Sequence, residues 1–282
     1  MRLPLLSLAF ILSSCATYIG KPAATRPVPP ERATQITRDV VYTPAGWPEA
    51  LKADLYQPLG MQGAQPAVLL IHGGGWAAPD RREQMASIAE RVAARGYVVM
   101  NATYRFAPQY IYPAPFDDLR EALKWLRANA EQYNVDPNRV AAMGYSAGGH
   151  LAALLGVVEG PANVRVQAVV DGAGPTDLRK YQGGKLVPQF LGGTQQAVPQ
   201  QFIAASPITH VTADDPPVFL YHGASDLLVP DHHSRDFKAA LDAAGVHSEW
   251  YRQHLRGHIT AFFTDGGAID AALNFLDRRL RP

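Results

Sequence analysis

The chain has 282 residues, of which 47% are hydrophobic and 18% are charged, and its formal net charge is +1. This hydrophobic content is sufficient for one substantial core and excludes a disordered chain. Since the charge is nearly balanced and no basic block occurs, nucleic acid is not expected as a partner.

The first fifteen residues have the pattern of an export signal. Arg2 is followed by an apolar run over 3–12, which is too short to span a bilayer, and then by Leu-Ser-Ser and Cys15. The last four residues resemble a bacterial lipoprotein box, in which cleavage precedes the cysteine and the thiol is acylated. We therefore predict a signal peptide over 1–15 and a lipid anchor at Cys15, at the outer membrane or on the periplasmic face. Export as a soluble periplasmic or secreted protein is the alternative.

The remainder of the chain is predicted to form a tether and one catalytic domain. Residues 16–35 are rich in Pro, Ala and Thr, which is typical of an extended tether. From 36 to 282, strand-like and helix-like segments alternate, which indicates a mostly parallel sheet with helices on both faces. The stretch 174–212 is rich in Gly, Pro and Gln and is predicted to be irregular. The predicted strands lie at 40–42, 52–56, 67–71, 97–101, 139–143, 166–170, 217–221 and 249–252, and the predicted helices lie within 80–95, 119–126, 147–156, 236–244 and 269–276.

Two glycine-rich motifs follow predicted strands. His-Gly-Gly-Gly-Trp occupies 72–76, and Gly-Tyr-Ser-Ala-Gly-Gly occupies 144–149 at the start of a helix-like stretch. A serine on a sharp strand-to-helix turn is exposed as a nucleophile, and glycine amides can donate to a developing oxyanion. Ser146 is therefore the predicted nucleophile. Gly74, Gly75 and Ala147 are the predicted oxyanion-hole donors.

A serine hydroxyl needs a base to take its proton and an acid to orient that base. In sheets with a nucleophile at such a strand-to-helix turn, the acid follows the serine in the chain and the histidine comes last. His258 follows Gly257 after the last strand and is the predicted base, with His254 as its rival. Asp226, at the turn after the strand 217–221, is the predicted acid; its rivals are Asp231 and Asp177. The catalytic residues fall where ligands bind in open α/β sheets, beyond the carboxyl ends of the strands.

Other residues near the motifs have predicted supporting roles. Trp76 and Tyr145 are candidates for the substrate pocket, and His150 is expected to pack inside the helix after Ser146. His233 is expected at the surface. No metal-ligand cluster is evident, and a serine triad needs none, so no metal or cofactor is expected.

These motifs resemble those of the α/β-hydrolase serine esterases. The match includes Tyr-Arg-Phe-Ala-Pro at 104–108, Asp-Pro-Asn-Arg-Val at 136–140, Asp-Gly-Ala-Gly-Pro at 171–175 and His-Gly at 222–223 before Asp226. The pattern is similar to the hormone-sensitive-lipase-like group and more similar to bacterial acetyl-xylan and feruloyl esterase-like members. The resemblance implies an α/β-hydrolase fold and hydrolysis of carboxylic esters by Ser146, Asp226 and His258.

Two departures from that pattern bear on the substrate. Tyr145 stands where many hormone-sensitive-lipase-like members have an acidic residue, and the chain lacks their long N-terminal extension, so no large helical cap is expected. An open site favours short acyl groups on a bulky alcohol, such as acetyl or feruloyl groups on carbohydrate. A kynurenine-formamidase-like amidase and a non-catalytic binding module are the alternatives.

Overall fold

The fold is built on one nine-stranded sheet, in a computed structural model that describes residues 15–22, 27–77 and 79–281. The strand order is β1-β9-β8-β7-β6-β4-β5-β3-β2. The six strands from β9 to β5 in this order are mutually parallel, while β1, β3 and β2 are joined by antiparallel pairs. The strands are β1 (Ala16–Ile19), β2 (Thr34–Val41), β3 (Lys52–Pro58), β4 (Gln65–Ile71), β5 (Val98–Ala102), β6 (Val135–Tyr145), β7 (Ala168–Gly172), β8 (Val218–Gly223) and β9 (Ser248–Gln253).

Helices cover both faces of this sheet. Successive residues of β4 point to opposite faces, so Leu69 and Ile71 join one apolar core while Val68 and Leu70 join the other. The helices are α1 (Ala86–Ala94), α2 (Ala114–Ala128), α3 (Ala147–Val157), α4 (Leu186–Leu191), α5 (Pro199–Ala204), α6 (His232–Ala243), α7 (His258–Phe263) and α8 (Gly266–Leu280).

The predicted α/β-hydrolase fold is confirmed, with α2, α3 and α6 on one face and α1 and α8 on the other. The stretch 174–212 is more ordered than its composition indicates, because it contains α4 and α5. Each of these helices has six residues, which is too short to give a periodic pattern. Within the described part of the chain, no helix is both long and apolar enough to cross a membrane.

The N-terminal segment meets the sheet earlier than the predicted tether boundary at residue 35. Ala16–Ile19 form the edge strand β1, in which Ala16 pairs with Gln253 and Ile19 with Trp250. The backbone N–H of His254 also donates to the carbonyl of Cys15 at 2.9 Å. Residues 1–14 of the predicted signal peptide over 1–15 lie outside the described residues, and the tether and domain boundaries stay predictions. Cys15 nevertheless adjoins the sheet directly.

The turn from β6 into α3 depends on close backbone packing. A side chain at Gly148 would overlap the carbonyl oxygen of Ile71 in β4, and one at Gly149 would overlap the carboxylate of Asp171 in β7. These two glycines therefore allow α3 to begin directly against the ends of the neighbouring strands.

We expect Gly148→Ala to lower the free energy of unfolding by about 3 kcal/mol or more, because its Cβ meets backbone that cannot move aside. Gly266→Ala is the control: its Cβ has no atom within 4 Å, and alanine favours a helix over glycine by about 1 kcal/mol. Urea unfolding of the two variants checks this. Equal stabilities would contradict the packing argument.

Candidate active site

Ser146 lies at the turn between β6 and α3 in a backbone conformation that side-chain-bearing residues rarely adopt. Its φ is 58° and its ψ is −123°, and its N–H donates to the carbonyl of Gly172 at 2.7 Å. Such backbone strain is typical of functional sites. The turn projects the Ser146 hydroxyl toward the loops that follow β8 and β9.

The structure brings Ser146, His258 and Asp226 together. Ser146 Oγ lies 2.8 Å from His258 Nε2, and His258 Nδ1 lies 2.6 Å from Asp226 Oδ2. Because a carboxylate only accepts hydrogen bonds, Nδ1 carries the proton that faces Asp226. Nε2 of the neutral ring is then free to accept from the serine hydroxyl.

The Asp226 carboxylate is held ionised by its neighbours. Burial alone would raise its pKa, but the side chains of His222 and His258 and the backbone N–H of Val229 hold that pKa well below its usual range. Asp226 Oδ1 accepts from the N–H groups of Leu228 and Val229 at 2.9 and 2.8 Å. A buried charge with this many donors remains an anion beside the histidine.

The rival candidates have other partners. His254 Nε2 lies 2.7 Å from the hydroxyl of Thr17, while Asp231 is paired with Arg252 at 2.6 Å and Asp177 with Arg179 at 2.7 Å. None of these contacts involves Ser146.

The predicted oxyanion-hole residues line the cavities that Ser146 also lines. Gly74 and Gly75 have φ values of 118° and 62°, and Ala147 is the first residue of α3, where the helix does not use the N–H. A Cβ on Gly75 would meet only the end of the exposed Leu186 side chain of α4, at 2.9 Å, so the positive φ is the stronger reason for glycine there.

Trp76 is buried between the two glycine-rich motifs. Its indole stacks on Phe190 of α4, with ring centroids 4.5 Å apart, and its Nε1–H donates to His150 Nδ1 at 3.2 Å. His150 in turn contacts the carbonyl of Ala205 through Nε2 at 2.7 Å. His150 is therefore a packing residue that fixes Trp76.

Tyr145 packs against His258 and hydrogen-bonds its backbone. Its hydroxyl donates to the backbone carbonyl of His258 at 2.6 Å, and the two rings lie 5.2 Å apart. A carboxylate at this position could not donate that hydrogen bond.

Two cavities meet at Ser146. The first, of about 220 Å³, is lined by Trp76, Tyr181 and Leu186. The second, of about 320 Å³, is lined by His258 and by the polar side chains of Arg81 and Gln84. Leu186 and Leu228 line both cavities and separate them at the serine. In the described ranges, no group of three or more His, Cys, Asp or Glu side chains is placed to hold a metal ion.

Comparison with known proteins places this site in a family. The BD-FAE family model matches residues 53–241, which include the glycine-rich motifs, Ser146 and Asp226. The chain belongs to the BD-FAE family. Its fold is that of the α/β-hydrolases, as its motifs indicate.

Relatives outside the family model agree with this assignment. Esterase LipQ of Mycobacterium tuberculosis is 30% identical over 82% of the chain and 59% of LipQ. A truncated carbohydrate esterase from gut microbiota has a TM-score of 0.80 at 24% identity, covering 89% of this chain and 98% of that one. Butyrate-bound esterase Est2 of Thermogutta terrifontis has a TM-score of 0.73 at 25% identity, covering 90% and 96%. The chain spans about half the length of the curated relatives it matches, between 45% and 59%.

Several residues that support the BD-FAE site were not indicated as such by the sequence. His222 lies in the motif before Asp226, and its Nε2 is 3.3 Å from the Asp226 carboxylate and 2.7 Å from the Val229 carbonyl. Leu186 and Arg81 reach the site from segments without a recognisable motif. The prediction that His233 lies at the surface is wrong: it is buried and stacks on Tyr181, with ring centroids 5.3 Å apart.

We expect the BD-FAE domain to lose stability in acid partly through His150. Burial lowers the pKa of His150 to about 4, against about 6.5 in an unfolded chain, so stability falls as the pH drops from 6.5 to 4. His150→Gln keeps a donor toward Ala205 but cannot be protonated. Between pH 7 and pH 4.5 this variant should lose about 2 kcal/mol less than the wild type in urea unfolding. Parallel pH curves would contradict a neutral His150.

Proposed function

We propose that the protein is a serine carboxylesterase that hydrolyses short-chain carboxylic esters through an acyl-enzyme. The observation that carries the proposal is the continuous chain from Ser146 Oγ through the His258 ring to Asp226, at 2.8 and 2.6 Å. Gly74, Gly75 and Ala147, whose N–H groups we infer to form the oxyanion hole, line the two cavities that meet at Ser146.

The first half of the reaction makes the acyl-enzyme. Ser146 Oγ attacks the ester carbonyl carbon while its proton passes to His258 Nε2, and Asp226 stabilises the resulting imidazolium. The negative charge on the former carbonyl oxygen is met by the backbone N–H groups. When the bond to the alcohol oxygen breaks, His258 returns the proton to that oxygen and the alcohol leaves.

The second half regenerates the serine. Water enters where the alcohol stood, loses a proton to His258 Nε2 and attacks the acyl carbon. The bond from that carbon to Ser146 Oγ then breaks, and His258 protonates the serine oxygen. The carboxylic acid is released, and no cofactor is required.

The two cavities support an assignment of the two halves of the ester. The leaving alcohol must lie within reach of His258 Nε2, and only the second cavity is lined by this histidine. The first cavity therefore fits the acyl group. Its volume of about 220 Å³ is below the range of about 300–1,000 Å³ for drug-sized ligands, which favours a short chain.

The second cavity, which would hold the alcohol part of the ester, is suited to a polar group. Arg81 and Gln84 both line the second cavity. Their guanidinium and amide groups offer hydrogen-bond partners for a hydroxyl-rich alcohol such as a sugar. Acetyl or feruloyl esters of carbohydrate therefore remain the favoured substrates. Structures of Est2 exist in butyrate-bound and propionate-bound forms, in keeping with short acyl groups.

Initial rates on a panel of substrates test the proposal. We expect p-nitrophenyl acetate to be hydrolysed faster than p-nitrophenyl octanoate, since the acyl cavity is small. Feruloyl esters show whether the site also accepts a bulkier aromatic acyl group. Ser146→Ala should lower kcat/KM by about 10⁴-fold or more, because the acyl-enzyme cannot form. Ser87→Ala, an exposed serine of α1, is the matched control and should retain full activity.

Each other outcome of the panel has a definite meaning. Activity that survives in Ser146→Ala would overturn the nucleophile. Hydrolysis of N-formylkynurenine alone would indicate the formamidase-like amidase. Inactivity on every substrate, in a folded protein, would favour the non-catalytic binding module.

We also propose that Cys15 carries a lipid anchor and that the protein is exported to a membrane surface. The support is the sequence up to Cys15 and the exposure of this cysteine in the fold. A single acyl chain gives marginal membrane binding, whereas several chains anchor a protein stably.

Cell fractionation of a bacterial host with lipoprotein processing tests the anchor. We expect the wild type to stay in the membrane fraction through repeated washing and Cys15→Ser to be released into the soluble fraction by it, because serine offers no thiol for acylation. Ser14→Ala, which retains the thiol, should follow the wild type. If Cys15→Ser stays with the membranes as fully as the wild type, the anchor is not at Cys15.

A further inference from the structure

A group of apolar side chains is exposed at the mouth of the active site. Leu227 is 94% exposed, Leu255 87%, Phe263 77%, Ile259 62% and Leu228 56%. Exposed apolar clusters of this kind mark interaction surfaces, whereas single exposed leucines do not. We call these five side chains the apolar rim.

The apolar rim comes from two loops that are held together. The loop after β8 carries Leu227 and Leu228, and the segment after β9 carries the other three residues. The N–H of Ser225 donates to the carbonyl of Arg256 at 2.9 Å, which joins the two loops. Leu228, Ile259 and Phe263 also line the second cavity, so the rim is continuous with the site.

The start of the described chain emerges at the same edge of the sheet. Because β1 is antiparallel to β9, its first residue, Ala16, lies opposite the last residue of β9, Gln253. Cys15 therefore lies at the carboxyl edge of the parallel strands, beside the segment that carries Leu255. The four strand spacings from β1 to β6 place it about 19 Å along the sheet from the strand that ends at Ser146.

Charge near the rim favours an anionic surface. Arg256 lies between Leu255 and Ile259 in the chain, and Lys185 lies next to Leu186 at the cavities. Neither side chain has a carboxylate within ion-pair distance in the residues that the structure describes. Basic residues that flank exposed apolar ones are typical of segments that lie in the headgroup region of an anionic bilayer.

We propose that the apolar rim is a membrane-docking surface that seats the active-site mouth against the headgroups of a lipid bilayer. The occupant is a bilayer because Cys15, the last residue of the predicted lipoprotein box, lies at this edge of the sheet and because unpaired basic side chains border the rim. The proposal goes beyond the esterase reaction. It does not require the thiol to be acylated, since the rim itself supplies the contact.

Site-specific labelling tests the orientation. Because Cys15 is the only cysteine, Cys15→Ser/Leu255→Cys and Cys15→Ser/Leu59→Cys each offer one thiol for an environment-sensitive fluorophore. Leu59 is 48% exposed and follows β3, whose end lies at the opposite edge of the sheet. On adding phosphatidylcholine–phosphatidylglycerol vesicles, we expect a blue shift at 255 and none at 59. No shift at 255, or equal shifts at both positions, would overturn the proposal.

A partition experiment measures the strength of the contact. In the Cys15→Ser chain, Leu227→Ser/Leu255→Ser should lower vesicle partitioning by about tenfold. The control Val28→Ser/Leu59→Ser changes two exposed apolar residues outside the rim and should leave partitioning unchanged. Neither Leu227 nor Leu255 lines either of the two cavities at Ser146, so hydrolysis of p-nitrophenyl acetate should be retained. Vesicle binding is read without catalysis, so an inactive protein that binds through the rim would refute only the esterase.

Other occupants of the rim give distinct results. Equal partitioning of the rim variant and its control would reject the bilayer. A dimer that the rim variant converts to a monomer in light scattering, without any vesicle binding, would assign the surface to a second copy of this chain and overturn the proposal.

Discussion

The active site depends on one backbone contact, between the first turn of α3 and the ends of β4 and β7. Gly148 and Gly149 remove the side chains that would keep the helix away from these strands. The short approach forces Ser146 to φ 58°, so the position of its hydroxyl is set by the backbone as well as by a rotamer. The helix N-terminus then directs its first free N–H toward the same place. Once Ser146 is fixed, His258 after β9 and Asp226 after β8 lie close enough to complete the site by direct hydrogen bonds.

The second constraint is electrostatic, and it lies in the loop after β8. Asp226 is buried and charged, a state that costs free energy unless donors surround it. Two backbone N–H groups of its own loop and two histidines supply them. The same hydrogen bonds close the loop into a tight turn from which Leu227 points outward. The arrangement that keeps the acid ionised therefore also fixes part of the apolar rim.

The sequence predicts those features that depend on local rules. The glycine motifs, the alternation of strands and helices, and the order serine, aspartate, histidine are each visible in short windows. Fold class and the residues that meet at Ser146 follow from them. The edge strand β1 does not, because a run of four residues, although Thr, Tyr and Ile favour strands, is too short to indicate a strand without β9 beside it. Leu186 and Arg81 reach the site only through tertiary packing, and a composition rich in apolar residues does not reveal which of them stay outside the core.

The edge strand changes what an anchor at Cys15 would do. A flexible tether of about twenty residues spreads over roughly 25 Å and lets a domain take any orientation at a surface. A strand that begins one residue after the cysteine leaves no such freedom. The antiparallel pairing of β1 with β9 also decides which edge of the sheet faces the membrane. A parallel pairing would place Cys15 at the opposite edge of the sheet, away from Ser146. The register of β1 thus links the site of anchoring to the site of chemistry. An esterase held in this way would act on esters presented at the headgroup layer. The polar alcohol part of such an ester would enter the cavity lined by Arg81, and its short acyl group would enter the small apolar cavity.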